Sequence, residues 1–224
     1  MGRIDRIIEE YGLILESDQH LPSIAGTIIG EKIHRSWWSH PKNRSVFNTL
    51  NTLTSRPDIL LTKLLSGKTT FIQKQLWPPF LTVANSHEPW QLDNLSRDGK
   101  LLLEAVEKKS ELFTNKFSKT SGIRTSILGD AARELESRLL IHGIGFHTSS
   151  GAHAKHLKTW QRWAADAKYD WKTNRGKEDI KIQESKLIFG KIADRLNGRF
   201  GTRPRLSWET STRSKGKIPV DERP

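Results

Sequence analysis

Apolar residues recur at three- and four-residue spacing from the start of the chain. Ile4, Ile7, Ile8, Tyr11, Ile14 and Leu15 predict an amphipathic helix over 3–16, weakened towards its end by Gly12. Residues 17–36, with Pro22, Gly26 and Gly30, read as a loop holding one short element. Ser36-Trp-Trp-Ser-His-Pro41 opens a second helix. Its apolar face is Val46, Phe47, Leu50 and Leu53, and Arg56-Pro57 stops it. The strongest β pattern follows: residues 59–65 and 69–73 flank Ser66-Gly67-Lys68 and predict a β-hairpin. Leu76-Trp-Pro-Pro-Phe80 then predicts a helix over about 77–85, since proline is tolerated in a first helical turn.

After a polar connection holding Trp90, Ser96 caps a helix to about Lys109 through Leu102, Leu103 and Val106. Residues 110–126, rich in Ser, Thr and Lys, read as an exposed loop. Asp130 caps a helix over 131–142 that Gly143 and Gly145 end, and Phe146-His-Thr reads as a short strand. His153, Leu157, Trp160 and Ala164 share a stripe that predicts a helix over 152–172. A last helix, about 178–197, uses Ile180, Leu187, Ile188, Ile192 and Leu196 and stops at Asn197-Gly198. From 199 onward the chain is basic and poor in apolar residues, and is expected to be extended. The fold class is therefore mainly α with one or two small β-hairpins (α+β), and the order helix, hairpin, helix is winged-helix-like. The expected organisation is a helical, winged-helix-like lobe over 1–95 with its hairpin at 59–75, a helical lobe over 96–198, and a basic extended tail over 199–224.

Composition narrows the function classes. The 224 residues contain no cysteine, which excludes disulfides, a thiolate nucleophile and Cys-ligated metals. No apolar run reaches the ~18–20 residues of a membrane span, and the first residues lack a signal-peptide core, so a cytoplasmic protein with no membrane partner is expected. The net charge of +12 is unevenly placed. Residues 1–150 hold 19 basic and 16 acidic side chains, whereas residues 151–224 hold 18 and 9. Arg195, Arg199, Arg203, Arg205, Arg213, Lys215 and Lys217 face only Glu209 in their stretch, with Phe200 and Trp208 interleaved. Cations mixed with aromatics suit a surface that tracks phosphates and stacks bases. Nucleic acid, DNA before RNA, is the expected partner.

Three blocks could carry chemistry. Adjacent residues on a helix point about 100° apart, so Trp37 and Trp38 cannot both face one core, and one of them is available for stacking. Ser66-Gly67-Lys68-Thr69-Thr70 has the end of a phosphate-binding P-loop, but position 62 is Thr where the first glycine belongs, and the segment joins two strands. Nucleotide hydrolysis is rejected, and Lys68 is read as a phosphate contact at a hairpin tip. The third block runs from Ala132 to His156 and holds Glu136, Arg138, His142, His147, His153 and His156. His40, Glu136, His147 and His153 are the candidate acid–base groups, and Arg138 a further phosphate contact. His153 and His156 would share one face of the predicted helix. A zinc site is disfavoured by the absence of H-E-x-x-H and by Lys155 and Lys158 nearby, so neither metal nor cofactor is expected. The other tryptophans read mainly as core.

Four blocks together resemble a bacterial protein family to which no activity is attached. They are Ser-Trp-Trp-x-His-Pro at 36–41, the Gly-Lys-x-Thr hairpin leading to Leu-Trp-Pro over 67–78, Ala-Arg-Glu-Leu-Glu at 132–136, and His-Thr-x-Ser-Gly-x-His at 147–153. The resemblance spans about residues 20–165. Lys74-Gln75 departs from the His-Arg of the family pattern. Three functions remain open: a DNA-binding protein using the hairpin and the basic final third, a nucleic-acid-processing enzyme such as a repair glycosylase or nuclease, and a component that binds an acidic protein partner.

Overall fold

The computed structural model describes residues 2–31, 33, 36–170 and 181–210. The architecture is α+β, with helices around two small three-stranded antiparallel sheets of order β1-β3-β2 and β4-β6-β5. Helix α1 (Arg3–Tyr11) ends earlier than its apolar pattern does. Gly12 takes a left-handed conformation (φ 74°) and its N–H donates to the Ile8 carbonyl, which frees Leu13–Leu15 to form β1. Ser23 caps α2 (Ile24–Ile29), the short element expected within 17–36. A 3-10 turn at Trp37–Ser39 precedes α3 (Asn43–Thr54). Val46 and Leu53 face inward as expected, but Phe47 is 44% exposed.

Strands β2 (Ile59–Leu65) and β3 (Lys68–Gln73) form the expected hairpin. Its two turn residues, Ser66 and Gly67, both have positive φ, the backbone that matches the right-handed twist of the strands. Strand β1 pairs on the other side of β3, with Ile14 opposite Phe71. Helix α4 (Trp77–Ala84) follows with prolines in its first turn, then α5 (Pro89–Leu92) and the Ser96-capped α6 (Arg97–Lys109).

The second sheet departs most from the sequence reading. The expected loop over 110–126 contains β4 (Glu111–Phe113) and α7 (Thr114–Ser121). Helix α8 (Thr125–Ser137) starts a turn and a half before the expected cap, so Asp130 lies within it, bonded to Arg133. Strand β5 spans His142–His147. The expected helix over 152–172 is instead strand β6 (His153–Lys158) followed by α9 (Trp160–Asp166). The spacing of Leu157, Trp160 and Ala164 suits a helix, but β6 is the central strand, bonded to β4 on one side and β5 on the other. Two ladders outweigh a local preference.

Helix α10 (Ile182–Phe200) runs past Asn197-Gly198 and stops at Gly201, another left-handed cap. Its inward face is Phe189, Ile192, Ala193 and Leu196, while Leu187, expected inside, is 57% exposed. Residues 201–210 are not a free tail. The Ser66 N–H donates to the Arg205 carbonyl, Leu206 bridges to Leu65, and the Ser207 hydroxyl donates to the Lys63 and Leu64 carbonyls at the start of α11 (Ser207–Thr210). Leu206 is the reason: it is buried in the largest core cluster, against which Trp208 packs. That cluster draws on Tyr11, Trp77, Leu139, Trp160, Phe189 and Leu206, and so crosses the division expected at 95/96. A second cluster joins α6, α7, α8 and the second sheet. Among the described residues no helix is long and apolar enough to cross a membrane.

Candidate active site

The buried stripe of α8 is Leu128, Ala131, Ala132, Leu135 and Glu136. An acid on an apolar stripe must be compensated, because removing a carboxylate from water costs several kcal/mol. Two lysines do this. The Lys155 ammonium of β6 donates to both Glu136 oxygens at 2.7 and 2.6 Å. The Lys63 ammonium of β2 lies 3.3 Å from Oε2. The carboxylate side chain is only 7% exposed, while the Lys63 and Lys155 side chains remain 27% and 23% exposed.

This group sits where the outer strands of the two sheets, β2 and β5, meet. Space for it is made by Gly143 on β5, where any side chain would overlap the Glu136 carboxylate. A cavity of about 40 Å³ opens at the seam, lined by Leu61, Thr62, Lys63, Thr69, Glu136, Ile141, His142 and Gly143. That is room for water and too little for a nucleobase.

Electrostatics distinguishes the groups around the seam. Burial lowers the Lys155 ammonium pKa, and Lys63 and Arg133 push the same way against the opposing pull of Glu136. His142, enclosed near the Trp160 and Trp163 rings at 5.6 and 6.1 Å, is driven down to about 3 by burial, with smaller contributions from Lys158 and His156. It is a neutral imidazole at physiological pH, and its Nδ1 has no hydrogen-bond partner.

The β5–β6 register places His147 opposite His153, Gly145 opposite Lys155 and Gly143 opposite Leu157. These alternate positions share one sheet face. His147 and His153 therefore stand on the same face as Lys155, further out at the hairpin tip, with ring centroids 4.2 Å apart. His147 Nδ1–H donates to the Gly151 carbonyl at 3.3 Å. His153 and His156 do not share a face, because three residues along a strand reverse direction. His156 stacks on Phe113 at 4.0 Å and donates to Glu111 at 3.0 Å. His40 belongs to a different group: its Nε2 meets Glu31 at 3.1 Å and its Nδ1 accepts from the Lys42 N–H. Among the described residues no three His, Asp or Glu side chains are placed to hold a metal ion.

The basic and aromatic candidates are distributed more widely. Lys68 and Arg203 line a cleft of about 710 Å³, and Arg199 and Phe200 line a neighbouring one of about 500 Å³. The Asp18–Leu21 loop borders both. Lys68 pairs with Asp18 at 2.6 Å, and Arg203 binds Asp194 at 2.7 Å and Glu209 at 2.9 Å. Arg195 donates to the Glu10 carbonyl and lies over the Tyr11 ring. The Arg205 N–H donates to the Ser66 hydroxyl. Arg138 donates to the carbonyls of Trp90, Gln91 and Asp93, clamping the end of α5. Trp37 is buried with its indole N–H on Glu16, whereas Trp38 is 58% exposed, stacked on Trp37 at 4.0 Å and adjacent to Phe47. Trp208 packs against Trp90 and Phe189. Arg213, Lys215 and Lys217 lie outside the described residues.

Sequence reasoning had singled out Glu136, His147 and His153 but missed Lys63, Lys155 and Gly143. A usable signal was present: Gly143 and Gly145 alternate within a strand, a mark of close approach by another group. The arrangement defines an α+β protein with a lysine-flanked carboxylate at the junction of two sheets. A family model described as AlkZ related matches residues 3–197, and the chain belongs to that family. No curated protein and no solved structure matches.

Proposed function

We propose that the protein is a DNA-repair N-glycosylase that binds DNA and releases alkylated bases, with Glu136 as the carboxylate acting on the sugar. The observation that carries this reading is the buried Glu136 carboxylate, held by Lys63 and Lys155 beside a water-sized cavity. Support also comes from the family, whose name points to repair of alkylated DNA.

Alkylation of a purine ring nitrogen gives the base a positive charge, so it can depart neutral without being protonated. The sugar is left as an oxocarbenium-like centre at C1′. Such a reaction needs an anion near C1′ and a water to complete hydrolysis, and it needs no acid for the leaving group. Glu136 supplies the anion and the adjoining cavity the room for water. Lys63, the more exposed of the two lysines, can meet a phosphate flanking the damaged nucleotide, while Lys155 stays on the carboxylate that faces the sugar. Around the two clefts Arg199 would track a backbone phosphate, and Lys68 and Arg203 would do so by exchanging their Asp18, Asp194 and Glu209 partners for phosphates, each neutralised phosphate releasing counterions. Trp38 and Phe200 offer exposed faces for an unpaired base.

The test is incubation of the full chain with duplexes carrying one N-alkylated purine, with free base measured by chromatography. Base release with salt-sensitive duplex binding is expected. Binding without release from any alkylated duplex would refute the enzymatic reading and leave a DNA-binding protein.

A further inference from the structure

We infer that Lys155 is an amine nucleophile towards the aldehyde of an abasic site, giving the protein a strand-cleaving lyase activity in addition to base release. This rests on the reading of the seam as a DNA-repair site. The geometry carries it. The Lys155 ammonium is in direct contact with both oxygens of Glu136, so one carboxylate can take its proton without diffusion. The side chain is 23% exposed and therefore reachable from outside. The facing strand position is Gly145, whose missing side chain leaves the approach to Lys155 open: a Cβ there would meet nothing nearer than the Ala154 carbonyl at 4.0 Å. The Lys155 N–H is anchored to the Thr114 hydroxyl at 2.9 Å, which fixes the root of the side chain. Burial and the positive charge of Lys63 and Arg133 favour the neutral, nucleophilic amine, as an active lysine requires.

The chemistry balances without a co-reactant. Glu136 takes a proton from Lys155, and the nitrogen lone pair attacks C1′ of the open-chain aldehyde. The resulting hydroxyl leaves as water with the proton returned from Glu136, and a protonated imine forms. Glu136 then removes a C2′ proton; the electron pair moves toward the imine and expels the phosphate at C3′. Water hydrolyses the conjugated imine, releasing a strand with an unsaturated aldehyde end, a strand with a 5′-phosphate, and the free lysine. Lys63, on the opposite side of the carboxylate, keeps the charge compensated throughout.

The experiment presents the full chain with a duplex bearing one preformed abasic site, with sodium borohydride to trap the imine. A covalent adduct that mass spectrometry maps to Lys155 is expected, and strand scission in the absence of borohydride. Lys155→Arg retains the positive charge but cannot form the imine, and should abolish the adduct; Lys100→Arg, on the exposed side of α6, should retain it. An adduct mapped to another amine, or one undiminished by Lys155→Arg, would overturn the inference. Mapping on the wild-type chain keeps the test independent of how the variant folds. Release of alkylated bases with no trapped adduct would overturn the lyase and leave the glycosylase standing. An adduct on Lys155 without release of any alkylated base would support the lyase and refute the glycosylase.

Discussion

Mild acid should destabilise this protein through His142. Its imidazole is 4% exposed, and burial, with Lys158 and His156 as lesser causes, holds its pKa at about 3 instead of the ordinary 6.5. Between those two values the unfolded chain binds a proton that the folded chain does not, so stability falls as pH falls. The slope approaches 1.4 kcal/mol per pH unit, and the loss from pH 7 to pH 5 is about 2 kcal/mol. By pH 3 the cumulative loss would be about 4 kcal/mol, close to the whole stability of the less stable domains. The upper half of this range isolates the histidine. Asp18, Asp58, Glu88, Asp166 and Glu209 are held below their usual carboxylate values, so their stabilisation is present above those values and is lost only in stronger acid. Urea unfolding at pH 7, 6 and 5 measures the effect, with His142→Gln as the comparison. The wild type should lose about 2 kcal/mol and the variant should be nearly flat. Equal slopes in the two proteins, or a wild type that gains stability towards pH 5, would refute the reasoning.

Two neighbouring glycines on β5 should behave differently. Gly143→Ala drives a methyl group into the Glu136 carboxylate and within 3.2 Å of Leu157. It should cost about 1–3 kcal/mol in chemical denaturation and suppress base release. Gly145→Ala has open space and should change stability little. Arg138→Ala removes the donor shared by three carbonyls, and should destabilise by about 2–3 kcal/mol in the same assay.

Local signals made the hairpin of the first sheet readable but not β1, whose Leu13–Leu15 continue the apolar spacing of the helix before them. The β2–β3 hairpin announces itself by two apolar runs around a glycine turn, and α4 by its paired prolines. Ser96 marks its helix in the sequence and caps it in the structure. In the second sheet only the β4–β6 pairing joins segments far apart in the chain; the β5–β6 hairpin is local, but its glycine- and histidine-rich strands carry too little apolar alternation to reveal it. The same remoteness hid half of the candidate site. Glu136 was legible only as a carboxylate within the histidine-rich block, and its lysines come from β2 and β6, which only the meeting of the two sheets brings together. The final basic stretch misled for another reason. Its basic, apolar-poor composition suggested an extended tail, whereas up to Thr210 it is held by the buried Leu206, the packed Trp208 and hydrogen bonds of Arg205 and Ser207 to the hairpin, and Arg203 finds carboxylates there.

The most direct measurement compares Glu136→Gln with the wild type on one alkylated duplex, recording affinity and base release in parallel. The variant keeps the shape of the side chain and loses its negative charge. The account predicts duplex affinity equal to or tighter than wild type and base release lower by about 10²-fold or more. Unimpaired release by a folded Glu136→Gln protein would contradict it.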